Sequence, residues 1–271
     1  MNKLYQQKHQ LWLRMLFGSF AINDPIIKSK LYDFSQILFR HLKWLGRDIL
    51  ENGGDYNYDR DMQLYKTTQV FEVLEQIKQE LEAISKHYDD STLFERIKSD
   101  EAYMLSYIND LLSDETNNKE VTAFSMKREW EYPLDQESID ALTLFLFEES
   151  YKEYELIMVY AYMQARTKDI TQFDVYQDLI DESHFHLKSF GEMMAKLGIL
   201  ALPRELHELT YKITDLDKFL KDGIAEEEAA KEMCKELSDA VKDERLSAFF
   251  DFINNQESYH IDLMKRLLDG K

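Results

Sequence analysis

The sequence predicts an all-α protein built as two tandem four-helix bundles. Three observations carry this. Apolar residues recur at helical spacing, as in the seam Val70, Leu74, Ile77, Leu81 and Ile84. Turn formers are scarce, with 8 Gly and 3 Pro in 271 residues, while 31% of the chain is charged and 44% hydrophobic. That balance favours long helices joined by short turns. The two halves of the chain also match each other, and a match at fixed spacing signals a repeated unit.

The elements follow in order. Residues 5–22, with Leu11, Trp12, Met15 and Leu16 apolar, read as the first helix. Asn23-Asp24-Pro25 stops it and opens the second, with proline in the first turn, where a missing N–H costs nothing. The second helix runs to about Asn52, and Gly53-Gly54 ends it. A polar connection over 55–61 leads to a third helix over 62–87. Asp89-Asp90-Ser91 supplies a turn and cap for a fourth helix over 91–113. Residues 114–136 break the pattern. Asp114-Glu115-Thr116-Asn117-Asn118-Lys119 is loop chemistry, and Trp130-Glu131-Tyr132-Pro133 reads as an extended linker. Helices resume over 137–167, 170–197, 215–240 and 243–269. The expected division is a first bundle over 1–113, a linker over 114–136 and a second bundle over 137–271.

A gapless alignment of 24–53 on 169–198 pairs Asp33 with Asp178, His41-Leu42-Lys43 with His186-Leu187-Lys188, and Gly46 with Gly191. Glu101-Ala102-Tyr103-Met104 falls on Glu257-Ser258-Tyr259-His260, and Val70, Leu74, Ile77 and Leu81 fall on Glu226, Ala230, Met233 and Leu237. The second half thus has Glu226 and His260 where the first has Val70 and Met104. The first bundle is expected to be a degenerate copy without a metal.

Composition narrows the partners. A formal charge of −19 argues against nucleic acid and against an anionic membrane surface, both of which need basic patches. The single cysteine, Cys234, excludes an internal disulfide framework and a cysteine-rich zinc site. Residues 1–10 are polar, without the regions of a signal peptide, and no apolar run reaches the ~18 residues of a spanning helix. The expectation is a cytoplasmic protein whose oligomeric state the sequence leaves open.

Polar residues interrupt the apolar seams of the last four helices. Glu149 lies near the centre of the stripe Leu142, Phe145, Leu156, Tyr160 and Met163, with Glu153 one turn on and off-centre. His186 falls within the seam Tyr176, Leu179, Ser183, Phe190 and Met193, bordered by Glu182. Glu226 precedes Ala230, Met233 and Leu237, and the last helix carries Glu257 and His260 in its stripe. Counting from the turns, His186 and His260 each stand 17 residues beyond Asp169 and Asp243; Glu226 stands 17 before Asp243 and Glu153 stands 16 before Asp169. At about 1.5 Å rise per residue these side chains share one level of a bundle, with Glu149 about 5.4 Å deeper. The seam favours Glu149 and the depth favours Glu153, so both stand. Carboxylates and imidazoles in a core need a partner, and a metal ion is the simplest.

The motif Glu257-Ser258-Tyr259-His260, with acids from the neighbouring helices, resembles the ferritin-like di-metal carboxylate superfamily, and its rubrerythrin-like members most. The resemblance covers 137–269 well and 1–113 only through the repeat. It implies two Fe or Mn ions held by Glu149, Glu153, Glu182, His186, Glu226, Glu257 and His260. It also implies oxidoreductase chemistry with oxygen or peroxide, or iron handling. Electrons would come from a protein donor, because this chain has no rubredoxin-like cysteine pairs. One departure stands out: Ser183 occupies the place of the second bridging acid, and Asp181 with His184 offers another pair at the right spacing. The competing expectation is a non-catalytic helical scaffold with buried ion pairs, the acids being neutralised by Lys152 or Lys231. His41 is expected to be structural, with Glu101 as its partner, and Cys234 a small core residue.

Overall fold

Most of the long helices begin where a short polar side chain caps them. The computed structural model describes residues 1–64, 67–130, 134–241 and 243–269. Helix α1 spans Asn2–Ala21 and α2 Pro25–Glu51, with Asp24 Oδ1 accepting from the Ile26 and Ile27 amides at 3.1 and 3.2 Å. Helix α3 is Val70–Ser85, and α4 is Thr92–Leu112, capped by Ser91. Helix α5 is Gln136–Arg166, capped by Asp135, and α6 is Ile170–Lys196, where Asp169 Oδ1 accepts from the Gln172 amide at 3.0 Å. A short α7, Glu208–Tyr211, precedes α8, Leu216–Ala240, capped by Asp215. Helix α9, Glu244–Asp269, starts on Asp243, whose Oδ1 accepts from the Leu246 amide at 2.9 Å. No strand forms among the described residues, and no helix there is long and apolar enough to cross a membrane.

Helices α2 and α6 are each 27 residues long and stop the same way. Gly53 and Gly198 take left-handed φ values of 76° and 71°, and the next amide reaches back to the Ile49 and Met194 carbonyls. This satisfies carbonyls that the helix end would otherwise orphan. The two glycines differ in surroundings. A Cβ on Gly53 would meet nothing, whereas one on Gly198 would stand 2.7 Å from the Lys127 carbonyl oxygen. Gly53→Ala is therefore expected to cost roughly 1–2 kcal/mol from the left-handed backbone alone. Gly198→Ala should cost clearly more, because backbone must also move. Urea unfolding of the two variants checks the order, and equal costs would contradict it.

The chain divides into two compact units. The first comprises Met1–Glu129 with Gly191–Glu205 and the second Trp130–Phe190 with Leu206–Lys271, so the boundary falls inside α6. In the first unit α1 packs on α2 and α3, α3 on α4, and α2 on α4. Its core includes Trp12, Phe17, Phe20, Phe34 and Leu38, all fully buried. In the second, α8 packs on α9, and α5 on α7 and α8. Phe145, Phe190 and Phe250 meet there edge to face at about 5 Å.

Two expectations change. The third helix starts at Val70, not at 62. Residues 62–64 and 67–69 are not helical, Tyr65 and Lys66 lie outside the described residues, and Gln69 instead bridges to Glu120. Residues 114–129, expected as linker, belong to the first unit and bury Val121, Thr122 and Ala123. Of the expected extended linker, Glu131, Tyr132 and Pro133 lie outside the described residues. The short α7 had no periodic signal to announce it.

Candidate metal centre

Four helices of the second unit turn charged side chains inward. On α5, Glu149 and Glu153 lie one turn apart and are 6% and 4% exposed. Helix α6 contributes His186, fully buried, and α9 contributes Glu257 and His260, also buried. From α8 it is Glu227, not Glu226, that points inward. The buried face of α8 is Glu227, Ala230, Cys234 and Leu237, and Glu226 is exposed one position round the helix. Both Glu226-Ala230-Met233-Leu237 and Glu227-Ala230-Cys234-Leu237 satisfy a helical period, so three consecutive glutamates hid the register. Expecting Cys234 in the core was not enough to move the choice to Glu227, because Met233 beside it is half-buried and fits the other register.

The side chains converge. His186 Nδ1 lies 2.8 Å from Glu153 Oε1 and 3.7 Å from Glu257 Oε1. His260 Nδ1 lies 3.0 Å from Glu257 Oε2 and 3.8 Å from Glu227 Oε1. Two trios result, Glu153–His186–Glu257 and Glu227–Glu257–His260, each with ligand atoms within 4.8 Å of one another. Glu257 belongs to both. A third trio joins Glu182, His186 and His260. Glu182 is half-buried and accepts from Gln256 Nε2 at 2.6 Å, while Gln256 Oε1 faces His186 Nε2 at 3.1 Å. Gln256 is a contact that sequence reasoning missed, because an amide in an acidic helix carries no periodic signal. Glu149 belongs to no trio but lies 3.6 Å from Lys152 Nζ. Of the other α6 candidates, Asp181 is exposed, and His184 is buried but joins no trio. Ser183 is buried in the place of the missing acid. Lys231 reaches Glu228 at 3.8 Å instead of the buried acids.

Electrostatics follow from this packing. Burial alone would depress the His186 imidazole, but the Glu153 carboxylate outweighs it and its pKa rises to about 9. Both ring nitrogens lie within hydrogen-bond reach of an oxygen, an arrangement that favours the protonated ring. His260 is raised to about 11 against its own burial, by Glu227 and Glu257. Burial pushes Glu257 up to about 8 and Glu149 to about 7. Burial also opposes the charge on Glu227, yet His260 and Glu257 hold its carboxyl below the usual range. The metal-free cluster therefore stores protons.

His186 and Glu257 bind a proton more tightly folded than unfolded. The stabilisation is whole below their ordinary values of 6.5 and 4.5 and is lost as pH rises through about 9 and about 8. Metal-free protein is expected to lose stability in its second unit between pH 6.5 and 9, by about 1.4 kcal/mol per pH unit for each proton released. Urea unfolding in chelator across that range checks this; a flat or rising profile would contradict it.

At the positions that the sequence alignment pairs with this cluster, the first unit makes other contacts. Lys8 stands sixteen residues before Asp24, as Glu153 stands sixteen before Asp169. Its ammonium is fully buried and pairs with Glu101, the counterpart of Glu257. Tyr88 also donates to Glu101, at 2.9 and 3.0 Å. His41, the counterpart of His186, contacts Asp100 at 3.0 Å and stands 3.9 Å from Glu101, so Glu101 is chiefly the partner of Lys8, not of His41. Among the described residues the convergent trios all lie in the second unit. Comparison with family models, with curated proteins and with solved structures finds no match, so the chain's own geometry carries the functional argument.

Proposed function

We propose that the second unit is a ferritin-like four-helix bundle holding two iron or manganese ions, and that the first is its metal-free duplicate. The observation that carries this is the pair of trios sharing Glu257. Glu153 and His186 would hold one ion, Glu227 and His260 the other, with Glu257 between them. Glu153, Glu227 and Glu257, with Glu149 close by, supply negative charge for two divalent ions, and hard oxygen with imidazole suits iron and manganese. The fit is supported by buried polar atoms without hydrogen-bond partners: Glu149 Oε1, Glu153 Oε2 and His260 Nε2. Buried Ser183, where the resemblance would put a second acid, would leave the site asymmetric.

The chemistry that bound iron or manganese would supply is electron exchange with oxygen or peroxide, which makes an oxidoreductase or an iron-handling protein the favoured activity. The chain's carboxylates would neutralise the ions, and His186 and His260 would bind as neutral imidazoles, releasing their protons to solvent. Tyr160, fully buried near Glu227 and Glu153, keeps its phenol protonated because burial and those carboxylates oppose its ionisation. Electrons would arrive from a protein donor.

A second reading has its own support. His186 already has an oxygen partner on each ring nitrogen, as a structural ion-pair network would require. Metal analysis of protein produced with iron and manganese separates the two. About two ions per chain, absent from the Glu257→Ala/His260→Ala variant, supports the metal centre. Metal-free protein under those conditions supports the scaffold.

A further inference from the structure

Glu226 falls outside the buried cluster yet remains beside it. A cavity of about 30 Å³ lies in the second unit between α5 and α8. That is room for about two water molecules. Its wall includes Glu149, Lys152, Glu153, Glu226, Glu227 and Glu257, so it passes from exposed Glu226 to carboxylates of both trios. Small or short side chains, Gly223 and Ala230, leave the space open on the α8 side. On the α5 side Glu149 is 6% exposed, and its Oε1 has no hydrogen-bond partner. Lys152 Nζ lies 3.6 Å from that oxygen. Lys152 itself is partly exposed, with 39% of its side chain accessible.

We propose that this cleft is a cation-uptake site, in which Glu226 captures a divalent cation at the mouth and Glu149 passes it to the buried trios. The inference rests on the metal-centre reading. A hydrated divalent ion cannot enter so small a space with its full water shell. It must exchange waters for oxygen ligands stepwise, and carboxylates at successive depths supply them. A cleft lined mainly by one sign of charge also concentrates cations at its mouth. Lys152 holds Glu149 until the incoming ion displaces the ammonium towards solvent. The step is ligand exchange alone: no bond within the protein breaks and no electron moves.

The test is stopped-flow uptake of Co²⁺ by the full metal-free chain at low ionic strength, followed by the visible absorbance of bound cobalt. Glu226→Gln is expected to slow loading about tenfold while leaving the final stoichiometry unchanged. Lys152→Met should speed it. Glu228→Gln removes the same charge from an exposed position on α8 that does not line the cleft, and should load like the wild type. The uptake site is overturned if Glu226→Gln loads at the wild-type rate, or if Glu228→Gln slows loading equally, since the general field would then suffice. A wild-type chain that takes up no Co²⁺ would overturn the metal centre and this inference together.

Discussion

Replacing Lys8 with methionine is expected to destabilise the first unit by about 3–5 kcal/mol. Lys8 is fully buried and Glu101 is 2% exposed, so the substitution leaves a carboxylate in the core with the Tyr88 hydroxyl donating to it and the His41 ring 3.9 Å away. The cost is that of an uncompensated buried charge, which exceeds the net worth of the pair itself. Removing both charges should therefore restore most of the loss. Lys8→Met/Glu101→Gln keeps an oxygen for Tyr88 and needs no counter-ion. Tryptophan fluorescence during urea unfolding is a suitable probe, because Trp12 and Trp44 lie in the first unit. A loss below about 1 kcal/mol in the single variant, the range of an exposed ion pair, would show that the pair is not buried as described. So would a double variant no more stable than the single one.

Adding Mn²⁺ or Fe²⁺ is expected to stabilise the second unit and leave the first unchanged. At free metal about 1,000 times the dissociation constant, the gain is about 4 kcal/mol. Glu257→Gln should abolish the gain, because Glu257 alone belongs to both the Glu153–His186 and the Glu227–His260 trios. The same substitution should leave metal-free protein folded. Burial already raises the Glu257 pKa to about 8, so its side chain is largely protonated near neutrality and a neutral amide mimics it. Glu149→Ala should reduce the gain less, since Glu149 lies outside the trios. Calorimetry with and without metal reads all three. Metal stabilisation that survives Glu257→Gln would mean that the ion binds elsewhere.

Much of the fold was legible because helices announce themselves locally. Asp24, Ser91, Asp169 and Asp243 cap helices where short polar residues preceded apolar periodicity, and Gly53 and Gly198 end them in the left-handed conformation. Glu153, His186, Glu257 and His260 were legible as polar residues in apolar seams, and the structure brings their ligand atoms within hydrogen-bonding or ion-pair reach. The start of α3 was not legible. Residues 67–69 carry no signal against helix, and what holds them is a backbone pairing with distant residues around Glu120. Nor was the fate of 114–129, whose polar composition reads as linker until Val121 and Ala123 find a core.

By itself the sequence determined an all-helical chain, where most helices begin and end, and which helices carry acid and imidazole in their apolar stripes. These are consequences of hydrogen bonding and periodicity over a few residues, and need no partner. Only the tertiary structure decided that Glu227 and not Glu226 faces inward, that Gln256 links Glu182 to His186, and that Lys8 answers Glu101. Adjacent positions on a helix differ by about 100° in direction, so which of them is buried depends on the neighbouring helix and not on the segment's own pattern. A buried charge likewise finds its partner through space, across 93 residues of chain in the case of Lys8 and Glu101.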